Sequence, residues 1–137
     1  MTDRLLHNAD WMFSNLCLAS VPLLFAILLT RSSSRRSRLW YFGLLVFILF
    51  LPNAPYVVSD YVHFLHDYVF LTVARESSNA IRLVFLQYVV FSLIGLALYS
   101  LCMQHFVRFL PARSRLSGIL IIHLACSFAI YLGRFKR

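Results

Sequence analysis

Four ionisable side chains within eight residues, Asp60, His63, His66 and Asp67, are the strongest candidates for chemistry in this chain. In a helix, Asp60, His63 and Asp67 follow one another at about one turn, so a carboxylate can orient an imidazole or exchange a proton with it. The same spacing brings His63, His66 and Asp67 within reach of one metal ion. A zinc site needs three or four ligands in fixed geometry, and the sequence has no second cluster of His and Cys. We therefore expect neither a metal nor another cofactor.

Two prolines precede these side chains, in the run Leu51-Pro52-Asn53-Ala54-Pro55-Tyr56. Proline disfavours helical geometry in the residue before it, so we expect Leu51 and Ala54 to be extended. Either the helix continues, kinked, to about Ser59, or it ends partway and a new helix begins at Pro55. Broken helices at membrane depth persist where protein or water satisfies the freed backbone groups. The break therefore predicts a cavity wall, with Asn53 and Tyr56 as further members of a polar site.

Residues 56–74 predict an amphipathic or re-entrant segment, because the polar positions share one helical face and the apolar positions occupy the others. Such a helix either lies in the interface with its polar face in water or lines a polar cavity. Ionisable side chains inside a membrane are costly, so Asp60 is the residue that we expect to bind a cation or relay a proton. The alternative is an aspartate that faces water beyond the membrane.

Composition indicates an integral membrane protein. Hydrophobic residues make up 61% of the 137 residues and the mean hydropathy is +0.76. Only 13% of the residues are charged, against about 25% in soluble domains. No stretch has the composition of a separate water-soluble module, so we expect one membrane domain over residues 1–137.

The apolar runs predict an all-α, multi-pass transmembrane bundle of about four crossings, with the second helix broken at Pro52–Pro55. A helix needs about 20 apolar residues to cross a hydrocarbon core of about 30 Å. The runs that meet or approach this length are 11–30, 39–59, 83–105 and 116–133. A fifth crossing by residues 56–74 is the alternative. It distributes Lys and Arg better between the two sides, but it carries two carboxylates and two imidazoles into lipid.

Arginine supplies most of the formal net charge of +8 and is concentrated in two short turns between apolar runs. The residues are Arg31, Arg35, Arg36 and Arg38 in the first turn, and Arg108, Arg113 and Arg115 in the second. Short basic loops favour the cytoplasmic side, which predicts an N-terminus outside and an attraction to anionic lipid headgroups. Nucleic acid is not an expected partner, because no soluble module presents a basic face.

Arg134 follows Gly133 at the end of the last apolar run, on the same side of the membrane as Asp60 in the four-crossing arrangement. A pair between Asp60 and Arg134 would explain why a charge is tolerated there, since unpaired charges near lipid are costly. The alternative is that the arginine side chain extends to the lipid headgroups.

Two sequence blocks resemble a known family. The first is Leu51-Pro52-Asn53-Ala54-Pro55-Tyr56 followed by Asp60 and His63, and the second is Tyr131-Leu132-Gly133-Arg134-Phe135-x-Arg137. Together they resemble domain-of-unknown-function family 1361, which implies a multi-pass protein of the bacterial plasma membrane without an established activity. In that family the second block continues into a Trp-Asn-Ser-Trp-Asp segment and further hydrophobic helices. We therefore expect this chain to be C-terminally shortened.

Three functional classes fit these features. A non-enzymatic membrane component, binding lipid or partners in a homo- or hetero-oligomer, ranks first because it needs only the helices and basic turns. A transporter or an ion- or proton-binding module would use Asp60 at the broken helix. A membrane-embedded enzyme would use Asp60 and His63 for acid–base chemistry. The chain has no glycine-rich phosphate loop and no GxSxG or HExxH motif.

Overall fold

The computed structural model describes the backbone of residues 2–31 and 37–135 and the side chains of residues 4–31 and 37–133. The helices are α1 (Thr2–Arg31), α2 (Arg38–Phe50), α3 (Asn53–Ser59), α4 (Tyr61–Val73), α5 (Ser78–Val107) and α6 (Arg115–Phe135), with a short 3-10 turn at Ala112–Ser114. The described residues contain no β-strand.

Four helical segments are long and apolar enough to cross a membrane: Arg4–Arg31, Arg38–Val73, Ser78–Val107 and Ala112–Gly133. The second of them is bent and combines α2, α3 and α4. Because the 13 residues of α4 reach only about 20 Å, α4 is too short for a crossing of its own. The structure confirms the predicted all-α, multi-pass bundle.

Hydrogen bonds between helices define two ends of the bundle. Thr30 Oγ1 and His105 Nδ1 lie 3.2 Å apart and join the C-terminal ends of α1 and α5. We call this the arginine-rich end, because helix termini there carry Arg31, Arg38, Arg108 and Arg115. At the opposite end, the Gln87 side chain donates to the Leu5 carbonyl at 3.0 Å and joins the starts of the same two helices.

The first break in the second crossing is a helical turn, and the expectation of extended Leu51 and Ala54 is wrong. Leu51 has φ −53° and ψ −39°, and α3 already begins at Asn53. The turn tolerates the prolines because other groups satisfy the backbone: the Asn53 amide donates to the Phe50 carbonyl at 3.0 Å, and Leu51 N–H donates to the Phe47 carbonyl at 2.9 Å. The helix is interrupted without leaving helical geometry.

A second break lies at Asp60, where α3 ends and α4 begins. Its N–H donates to the Val57 carbonyl at 3.2 Å and its carbonyl accepts from His63 N–H at 2.9 Å, which is a tight turn between two helices. No side-chain cap bond is made at this position. The carboxylate instead accepts a hydrogen bond from Asn15 of α1.

Helix α5 is the centre of the bundle and contacts α1, α3, α4 and α6. Its Gly95 permits the approach of α3, because a Cβ added there would lie 2.7 Å from Val57 Cβ and 3.3 Å from the Ala54 carbonyl oxygen. Small residues at helix crossings allow this kind of close backbone packing in membranes. Gly95 thus allows α3, which ends beside the turn at Asp60, to pack closely against α5.

Candidate functional site

Asp60 lies inside the bundle, with a relative exposure of only 2%. It lines a cavity of about 500 Å³, which we call the deep cavity. The polar side chains that share this cavity are Asn15, Asn53, Tyr56, Asp60 and His63. Ala129, Ile130 and Gly133 of α6 form part of its wall.

Asn15 of α1 donates its side-chain amide to Asp60 Oδ2 at 3.2 Å. Asn15 is near the middle of the 30-residue helix α1, which is about 45 Å long. The Asp60 carboxylate is therefore near mid-height in the bundle. A carboxylate at that depth is desolvated unless the cavity supplies water or polar partners.

A second cavity, of about 440 Å³, lies towards the opposite end of the bundle from the arginine-rich end, and we call it the end cavity. It is lined by Arg4, His7, Asn8, Trp11, His63, His66, Asp67 and Tyr88. His63 lines both cavities. Its ring centroid is 5.5 Å from that of Trp11, so α1 packs directly on this imidazole.

Asp67 in the end cavity is the acceptor that joins three helices. Arg4 of α1 donates to Asp67 Oδ1 at 2.5 Å, and Oδ2 accepts from the Asn8 amide at 2.8 Å and from the Tyr88 hydroxyl at 3.2 Å. The Arg4 guanidinium also lies 3.6 Å from the centre of the Phe70 ring. Both carboxylate oxygens are engaged, so Asp67 acts as an interhelical clamp between α1, α4 and α5.

The polar helical face expected from the sequence, with Asp60, His63, His66 and Asp67, is therefore divided between the deep cavity and the end cavity. Asp60 and Asp67 are both buried but belong to different cavities, whereas His63 and His66 are exposed residues that line them. Asn8, which bonds Asp67, is seven residues from Asn15, which bonds Asp60, so the two carboxylates differ in depth by about 10 Å. Asp67 accepts from a guanidinium, an amide and a hydroxyl, whereas Asp60 accepts from the Asn15 amide.

The ligand set considered for a metal was His63, His66 and Asp67. Within the part of the chain that the structure describes, no three His, Cys, Asp or Glu side chains form a group that could hold a metal ion. Asp67 is also engaged by Arg4, Asn8 and Tyr88, which a metal would have to displace.

The side chain of Arg134 lies outside the described residues, and its pair with Asp60 stays a prediction. The backbone of α6 does reach this region, since Gly133 lines the deep cavity with Asp60. Arg35 and Arg36 of the first basic turn also lie outside the described residues.

Sequence reasoning missed the contribution of α1. Arg4, Asn8, Trp11 and Asn15 are spaced by four, three and four residues, so they share one helical face. That spacing was a usable signal, but residues 1–10 lacked the hydrophobicity of a crossing and were not assigned to a helix. In the structure, α1 begins at Thr2 and includes these residues.

Comparison with known proteins gives one family. The model of a family described as protein of unknown function (DUF1361) matches residues 14–137. The matched region contains every residue that lines the deep cavity, whereas Arg4, Asn8 and Trp11 of the end cavity precede it. No match was found among curated proteins or among solved structures.

Proposed function

The chain belongs to the DUF1361 family, and from its geometry we propose a non-enzymatic, multi-pass component of the bacterial inner membrane in which Asp60 is a proton-binding site. The site is entered through the end cavity, from the outer face of the membrane. The observation that carries this proposal is the burial of Asp60 at mid-height beside a cavity of about 500 Å³. Ionisable groups at membrane depth mark proton and ion pathways.

The groups around Asp60 suit proton exchange. They are the Asn15 amide on α1, Tyr56 on α3 and His63 on α4, while Tyr88 on α5 donates its hydroxyl to the other carboxylate, Asp67. From α6, the expected partner is Arg134. His63 lines both cavities and its imidazole can both accept and donate a proton, so it is suited to carry a proton from the end cavity to Asp60.

A one-sided site is favoured over a complete transport path. Towards the arginine-rich end, residues of the described bundle form an apolar cluster, which disfavours a continuous water path from the deep cavity. The cluster consists of Ala26, Leu29, Phe47, Leu51, Cys102, Ile122 and Cys126. Transport would require this cluster to open.

Carbodiimide labelling tests the proposal. Dicyclohexylcarbodiimide is apolar and couples to protonated carboxylic acids that are shielded from water. We expect mass spectrometry to find the label on Asp60, more at pH 5 than at pH 8, because the protonated fraction rises as pH falls. Glu76 is exposed and serves as the internal control. Equal labelling of Glu76 and Asp60, or no label on Asp60 at any pH, would contradict the proposal.

The orientation rests on the arginines, since Arg31, Arg38, Arg108 and Arg115 are at one end and favour the cytoplasm. With four crossings, both termini are then outside. Alkaline phosphatase fused after Arg137 should be active, because it folds only outside the cytoplasm. A fluorescent protein at the same position that gives the cytoplasmic signal would refute this orientation.

A further inference from the structure

A groove of about 750 Å³ lies between α5 and α6 near the arginine-rich end, and it shares no lining residue with the deep cavity of Asp60. Three polar side chains, Ser100 and Gln104 of α5 and Arg108 directly after its end, are spaced by four residues and form one stripe along the groove. From α6, Ile119 and His123 complete the wall. The segment that contains α6 is the least buried of the four membrane-length segments.

The polar residues of this groove are exposed at a depth where lipid would otherwise contact them. Ser100, Gln104 and His123 are exposed, and Ser100 is seven residues before the end of α5, about 10 Å along the helix. His123 Nδ1 donates to the Ile119 carbonyl at 2.8 Å, which fixes its ring. Contact between polar groups and hydrocarbon is unfavourable. We therefore expect the polar side chains of the groove to contact a partner that is itself polar at this depth.

Among the described residues, the arginines at this end form no ion pair with a carboxylate. All five acidic residues lie within residues 3–76, and neither basic turn contains one. The one ion pair among the described residues, Arg4 with Asp67, is at the opposite end. We therefore expect the anionic group that neutralises Arg108 to come from outside the described part of the chain.

We propose that the groove between α5 and α6 binds one anionic phospholipid of the cytoplasmic leaflet. The phosphate contacts Arg108 at the mouth, the glycerol ester oxygens accept from Gln104 and Ser100, and an acyl chain lies deeper along Ile119. This order of cation, hydrogen-bond donors and apolar wall matches the order of groups in a phospholipid. A second copy of the chain is disfavoured as the occupant, because it would bring its own arginines against these.

Native mass spectrometry of the purified full chain tests this site, with phosphatidylglycerol and phosphatidylethanolamine of matched acyl chains added in equal amounts. We expect phosphatidylglycerol to be retained preferentially. Arg108→Gln should weaken its binding by about five- to tenfold, the effect of about one lost arginine–headgroup contact. Arg113→Gln removes the same charge from the same turn without lining the groove, and should leave binding within about twofold.

Gln104→Leu distinguishes the groove from diffuse attraction, because it removes a hydrogen-bond donor without changing the charge. It should also weaken retention of phosphatidylglycerol, and it decides the question if Arg108→Gln fails to fold. Equal losses in Arg108→Gln and Arg113→Gln, full retention in a folded Gln104→Leu protein, or equal binding of the two lipids would each overturn the proposal. A dimer that strengthens in Arg108→Gln would assign the groove to a second copy instead.

Discussion

Asp67→Asn should lower the free energy of unfolding by about 2–4 kcal/mol, because it removes the charge to which three side chains donate. The Asp67 side chain has a relative exposure of 10%, so water replaces little of what is lost. Arg4 is 31% exposed, and solvent screens its share of the interaction, which places the expected loss below that of a fully buried pair. The larger part comes from the buried bonds of Asn8 and Tyr88.

The measurement is reversible unfolding of the purified protein in mixed micelles. Asp10→Asn is the matched control: Asp10 is an exposed residue of α1 near the same end, and the same change there should alter stability by about 0.5 kcal/mol or less. If Asp67→Asn unfolds with the same free energy as Asp10→Asn, Asp67 is not the clamp that joins α1, α4 and α5.

Gly95→Ala should lower stability by about 1–3 kcal/mol, the usual cost of overpacking a close contact. The new Cβ would be 2.7 Å from both Val57 Cβ and Val57 Cγ1, so α3 has to move away from α5. Because α3 ends at the Asp60 turn, the same change should also reduce carbodiimide labelling of Asp60. The effect on the site distinguishes this residue from an ordinary packing position.

Gly43→Ala is the control for a glycine in another helix. A Cβ at Gly43 would lie 3.3 Å from Leu29 Cδ2, the end of a flexible side chain that can shift by a few tenths of an ångström. We expect a smaller loss of stability and unchanged labelling of Asp60. Equal effects of the two substitutions would show that the α3–α5 approach does not hold the site.

The fold could be predicted from hydrophobicity, because the thickness of the bilayer sets the length of an apolar helix that crosses it. The two prolines correctly indicated an interrupted second helix, but their local geometry was misjudged at Leu51 and Ala54. The proline rule is a preference of the isolated dipeptide, and here the Asn53 side chain and the Leu51 N–H satisfy the backbone of a helical turn.

The candidate site could be read only in part. The pattern around Asp60 showed which side chains share a helical face, but periodicity within one helix does not reveal which other helices face it. Asn15 bonds Asp60 in the deep cavity, whereas Asn8 bonds Asp67, whose carboxylate joins three helices beside the end cavity. The break at Asp60 has no proline or glycine beside it that would predict it, and the contacts of α3 with α1 and α5 are not visible in the sequence.

Infrared difference spectroscopy of the full chain in lipid vesicles, between pH 5 and pH 8, tests the central claim most directly. Reversible protonation of Asp60 predicts a carboxylic-acid carbonyl band at the lower pH that is absent in Asp60→Asn and retained in Asp10→Asn. A band that persists in Asp60→Asn, or a wild-type spectrum without one, would show that Asp60 does not bind a proton.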